Sequence, residues 1–150
     1  MIELSKYILE ALGRDKDFNL YRATSKEGNS QILVLSPAVD YPPSETLERL
    51  EHEYSLREEL HLAWAARPIE TARYRDSTVL VLDDPGGVPL DQLLSQPLDL
   101  AFSIRLAVDL SSAIDRMHGR GIVHKGFSPV RAKVCKSKIL YWHLLAPLCA

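Results

Sequence analysis

The chain has 150 residues, 46% hydrophobic and 25% charged, which is enough to bury a real core and ordinary for one soluble globular domain. A net charge of −2 and a pI near 6.2 give no basic footprint for nucleic acid or an anionic membrane, so neither partner is expected. Cys135 and Cys149 lack metal-ligand spacing around them, which argues against a disulfide framework or a zinc site and suits a reducing compartment.

The opening stretch MIELSKYILEALGRDKD is charged and has no long apolar run, so no secretory signal or anchor helix is expected there and the cytoplasm is the default location. Residues 6–12 and 19–24, with Tyr7, Ile8, Leu20 and Tyr21, read as two short strands around the polar segment Gly13-Arg14-Asp15-Lys16-Asp17. That is a hairpin, with Gly13 as its turn glycine. Lys26-Glu27-Gly28-Asn29 makes a second turn, and Gln31-Ile32-Leu33-Val34-Leu35 is an apolar strand that stops at Ser36-Pro37.

Tyr41-Pro42-Pro43-Ser44 is a helix-start signal, because proline tolerates the first turn and Ser44 can cap it. Helical spacing then runs over residues 44–60, with Leu47, Leu50 and Tyr54 as the apolar line. At about 100° per residue, Glu53 falls between Leu50 and Leu60 on the core-facing arc. It is either an inward carboxylate with a task or simply the partner of Arg57 one turn on, a contact of a few tenths of a kcal/mol. Residues 60–68 form a loop in which Trp64 packs. Two further strands, 69–74 and 78–82, flank the turn Arg75-Asp76-Ser77.

Asp83-Asp84-Pro85-Gly86-Gly87 breaks the pattern and leads through Val88-Pro89-Leu90-Asp91 into a short helix. The next helix, 101–118, carries Phe102, Leu106, Leu110, Ala113, Ile114 and Met117 on one stripe and Arg105, Asp109, Ser112 and Asp115 on the other. It should stop at Gly119-Arg120-Gly121, with Arg116 and Arg120 near its negative end. Ile122 and Val123 form a short apolar step into His124, Lys125, Gly126 and Phe127. Residues 132–135 and 139–142 can pair as a small hairpin, and the last residues are almost wholly apolar yet too few to span a bilayer. The histidines and Ser111, Ser112 and Ser128 show neither metal-ligand spacing nor a paired base.

A helix, a glycine turn and a short apolar step ending in His124-Lys125 resembles the approach to the catalytic loop of a protein kinase, where H-R-D is followed by four residues and an Asn. The resemblance covers roughly residues 5–135. It implies an α+β fold: a kinase-like N-terminal lobe, an antiparallel sheet with one helix over 1–84, then over 85–150 a hinge and the first helices of a C-terminal lobe with an apolar tail. A whole kinase domain has about 250 residues, near the upper end of single-domain sizes, so only a partial second lobe fits. The segment VLDDPGGVPLDQLL is similar to kinase-like domains at the start of large multidomain bacterial sensor kinases.

The same resemblance locates what is missing. The catalytic Asp falls on Gly126 and the metal-binding Asn on Arg131, so the motif His124, Lys125, Gly126, Arg131 is degenerate; neither replacement can accept a hydroxyl proton or hold magnesium. The strand lysine that contacts phosphates falls near Val34, within one residue, and no Asp-Phe-Gly follows the loop. Only Gly13 stands where several glycines would cradle phosphate. The resemblance leaves Glu53, at the place of the helix glutamate, and Val81, Leu82, Asp83 and Asp84, where backbone groups would meet an adenine, as the nucleotide-side residues. ATP and Mg are the cofactors it implies, with weak binding at most; no metal ligand set is expected. The leading expectation is a regulatory or interaction module without phosphotransfer, which meets a protein partner or itself through apolar C-terminal surface. The alternatives are an active Ser/Thr kinase fragment of a larger signalling protein, and a small α+β interaction protein unrelated to kinases.

Overall fold

The computed structural model describes residues 1–28, 30–61 and 64–123 and the strands Ala132–Cys135 and Lys138–Tyr141. The apolar and β-branched runs of the first half form five strands: β1 (Tyr7–Arg14), β2 (Phe18–Ser25), β3 (Gln31–Pro37), β4 (Pro68–Tyr74) and β5 (Ser77–Asp83). They make one antiparallel sheet in the order β1-β2-β3-β5-β4. Side chains alternate between its faces. Phe18, Leu20, Leu33, Leu35, Leu80 and Leu82 lie on the inner face, under α1 (Ser44–Ser55), whose Leu50 is fully buried among them. Ala23, Ile32, Val34, Ala72, Val79 and Val81 lie on the outer face beneath Leu4, from a short 3-10 turn at Leu4–Lys6. Both faces of β3 are therefore covered, which is why its sequence runs Ile-Leu-Val-Leu without polar alternation. Burying each such side chain is worth about 1.5–3 kcal/mol.

Three local expectations change on folding. Gly13 lies inside β1, next to a register shift between Ala11 and Gly13, and not in the turn. The turn closes without glycine because the Asp15 carboxylate accepts from the N–H groups of Asp17 and Phe18, both at 2.9 Å. Helix α1 ends at Ser55 and continues as tight turns, because Leu56 and Leu60 pack into a separate cluster with Trp64, Ala65, Met117 and Ile122. Pro43 takes the cap position and Ser44 is the first helical residue, with no side-chain capping bond.

After β5 the chain turns through Gly86 (φ 80°) and Gly87 (φ 74°), both left-handed and open to glycine without strain. It continues as β6 (Val88–Pro89), α2 (Leu90–Leu93) and α3 (Leu100–His118). The Asp99 carboxylate accepts from Phe102 N–H at 3.0 Å and caps α3. At the other end, Gly121 N–H bonds to His118 O and Ile122 N–H to Met117 O, the paired closure that a left-handed Gly121 (φ 74°) allows. The expected stripe faces inward: Ala113 and Met117 are buried, Ile114 packs beside Trp64, and Leu106 and Leu110 pack on Leu90. Trp64 is a core residue, as its sequence setting suggests. Strand β7 (Ala132–Cys135) pairs with β8 (Lys138–Tyr141) and also with β6, an added strand not foreseen from sequence. Positions 124–131, which hold the degenerate motif, and the tail 142–150 lie outside the described residues. Among the described residues no helix is long and apolar enough to cross a membrane.

Candidate functional site

The cleft of interest is the space beneath the inner face of the sheet, bounded by α1 and by the connection after β5. Strand alternation fixes what β3 presents to it. Val34 pairs with Tyr21 and Val81 and packs in the outer cluster, so it faces away from α1. The positions on the inner face, under α1, are Leu33 and Leu35, one residue to either side. The position expected near Val34, within one residue, is thus an apolar side chain on either face of the strand. Glu53 is fully buried on α1, as its arc predicts. Arg57 reaches Glu58 at 3.5 Å and lies over the Tyr54 ring at 4.6 Å.

Residues 81–84 divide by the same alternation. Val81 packs in the outer cluster, whereas Leu82 belongs to the inner one. Asp83 stands beside Arg67 at 3.4 Å. Asp84, fully buried, accepts from Arg22 Nε at 2.6 Å and from Gly86 N–H at 2.8 Å, while Arg22 Nη2 donates to Gly87 O at 2.8 Å. Arg22 lies opposite Leu33 in the ladder, hence on the cleft face, and its guanidinium spans from β2 to the connection. Charge assistance makes such bonds short and about twice as strong as neutral ones. Gln92 of α2 adds a bond to Leu12 O of β1 at 3.2 Å. The sheet is thus tied to the connecting segment by side chains that stand where an adenine edge would approach the backbone.

The tip of the first hairpin is held as firmly. Arg49 of α1 donates to Asp17 at 2.8 Å and lies over the Phe18 ring at 5.3 Å, and Ala38 N–H bonds to Asp17 O at 2.9 Å. Where a nucleotide-binding hairpin would offer backbone N–H groups to phosphate, Asp15 uses its carboxylate to occupy those of Asp17 and Phe18. Among the described residues no group of three or more His, Cys, Asp or Glu side chains comes together as a metal site. Among the described residues, then, β3 carries buried leucines on its inner face, Asp15 closes the hairpin tip, and an ion pair joins β2 to the segment after β5.

Arg22 was not singled out from the sequence, although a signal existed. Phe18, Leu20 and Arg22 share one face of β2, and a charge on an otherwise apolar face calls for a buried partner. Which carboxylate answered it was not legible, since Asp84 lies 62 residues away.

No protein-family profile matches the chain, and no curated protein matches it in sequence. Solved structures do resemble it. The protein kinase Rad53, as its fragment 1–466 in complex with AMP-PNP, superposes with a TM-score of 0.72 at 12% identity over 93% of this chain and 39% of that one. The apo form of PpkA-294, also a protein kinase, gives a TM-score of 0.71 at 17% identity over 93% of this chain and 58% of that one. The chain thus spans well under two thirds of either structure, and at these identities the likeness is one of fold: a protein-kinase-like N-terminal lobe with the start of the helical lobe.

Proposed function

We propose that this chain, a protein-kinase-like fold with the nucleotide side of its cleft built shut, works as a regulatory or interaction module and not as a phosphotransferase. The observation that carries the reading is the Arg22–Asp84–Gly87 network, which occupies both the buried carboxylate of the hinge and the cleft-facing side of β2. Leu33 and Leu35 in place of a cation, and the Asp15 carboxylate occupying the N–H groups of the hairpin tip, act in the same direction. Residues 1–84 form the sheet lobe of the module and residues 85–150 its hinge and partial helical lobe. Its proposed location is the cytoplasm.

Its partner surface is the outward face of α3. Leu100, Ile104 and Val108 recur at helical spacing and are 76%, 55% and 58% exposed, a row suited to another protein or a second copy. The reading is tested by thermal unfolding with and without millimolar ATP and MgCl₂, alongside a phosphoryl-transfer assay on a general acceptor. A ligand whose Kd exceeds its concentration stabilises by less than about 0.4 kcal/mol, so no resolvable rise in Tm and no transfer are expected. A saturable rise of several degrees, or turnover lost on changing Glu53, would overturn it.

A further inference from the structure

The sheet's edge at β4 offers a different kind of site. Among the described residues β4 pairs as a strand with β5 alone, and a cavity of about 740 Å³ lies against it, walled by residues 1–5 on one side and by β4 and Thr78 on the other. That volume is within the range of ordinary ligand sites. Its lining is apolar where Ile2, Leu4, Ala72 and Tyr74 join the outer cluster. Its rim is cationic. The exposed Arg73 donates to the backbone oxygen of Asp76 at 3.3 Å, and the exposed Arg75 lies over the Tyr74 ring at 5.2 Å.

Neither guanidinium is ion-paired with a carboxylate among the described residues, the neighbouring Asp76 included, while Glu70 and Glu3 are engaged elsewhere. Glu70 holds the N-terminal ammonium at 3.6 Å and accepts from Ile2 N–H. Glu3 pairs with Lys6 at 2.9 Å, and the hydrogen bond and charge of Lys6 hold the Glu3 carboxyl below its usual range. The β4–β5 turn keeps Arg75 (φ 47°) and Asp76 (φ 61°) in the left-handed region where glycine and asparagine are the usual occupants. The strain is of order 1 kcal/mol per residue. It sets the Arg75 guanidinium beside the cavity.

We propose that the free edge of β4 and this cavity form a docking site for an extended acidic peptide segment. The segment adds a strand along residues 71–74, places alternate apolar side chains in the cavity and sets its carboxylates against Arg73 and Arg75. Main-chain bonding supplies affinity, and the arginine pair selects charge. The competing account is that these charges only protect an exposed edge from association.

Fluorescence anisotropy decides between them, with the whole chain titrated against a dye-labelled peptide of alternating valine and glutamate. The expected result is saturable binding that weakens with added salt, is absent for the valine–lysine counterpart, and drops about tenfold or more for Arg73→Glu/Arg75→Glu with an unchanged circular dichroism spectrum. A third peptide, the valine–glutamate sequence N-methylated at alternate residues, is expected not to bind, because it cannot form the strand bonds. This comparison holds on the wild-type chain even if the double variant fails to fold. No binding by the acidic peptide, equal binding of the lysine peptide, equal binding of the methylated peptide, or full affinity in the folded double variant would each overturn the assignment.

Discussion

Arg22 and Asp84 set the character of the cleft through one contact. Asp84 is fully buried and Arg22 is 17% exposed, so the pair is removed from most solvent screening and depends on its hydrogen bonds to Gly86 N–H and Gly87 O. Breaking a buried pair by deleting one partner strands the other charge. Asp84→Ala is therefore expected to lower stability by roughly 3 kcal/mol, read from urea denaturation. A double-mutant cycle with Arg22→Ala should return a coupling of about 1 kcal/mol or more. Purely additive losses would show that the two side chains are neighbours without being partners. Leu33 and Leu35 illustrate the opposite case: they are apolar residues packed in the inner core under α1.

At the scale of elements, α3 carries its own start and stop signals, and its two terminal glycines are not equivalent. Gly119 has φ −60°, with the nearest atom to an added Cβ at 3.4 Å, whereas Gly121 has φ +74° with open space around it. The difference is backbone strain, not crowding. Gly121→Ala is expected to cost about 1–2 kcal/mol for the left-handed conformation. Gly119→Ala, in right-handed backbone, should be neutral or stabilising by up to about 1 kcal/mol. Thermal melts of the two single variants side by side test this; equal losses would place the helix stop elsewhere. Helix α1 differs from α3 in that tertiary packing ends it. Leu56 and Leu60 are drawn toward Trp64 and Met117 after Ser55, so helical periodicity outlasts the helix itself.

For the molecule as a whole, the outward row on α3 is the proposed partner surface. Leu100, Ile104 and Val108 are exposed on the helix that also carries the inward stripe, which makes α3 apolar on two sides. A helix apolar on more than one face is normally enclosed. Light scattering across a dilution series should show association that fades on dilution. Ile104→Glu/Val108→Lys is expected to shift the chain toward monomer and reduce binding of a hydrophobic dye while leaving Tm within about 1 °C, because surface changes away from packed features stay within about 0.5 kcal/mol. A wild-type chain that is monomeric at every concentration would remove this face from consideration as a partner surface.

The sequence by itself determined the order of the main elements, the inward stripe of α3 with its stop at Gly119-Arg120-Gly121, the burial of Trp64, the core-side arc of Glu53, and the kinase-like plan that solved structures share. These follow from short-range rules: hydrophobic periodicity, glycine's left-handed freedom and proline's fixed φ act within a few residues of one another. The tertiary structure alone decided which β3 side chains face α1, where α1 ends, that β6 pairs with β7, and that Arg22 meets Asp84. In a strand buried on both faces, hydrophobicity is uniform and carries no phase, so the sequence locates the position near Val34 only to within one residue. A charge pair 62 residues apart leaves no periodic trace either. Its partner is selected by ladder register and by the left-handed path through Gly86 and Gly87, and these are settled only when the sheet and the hinge assemble together.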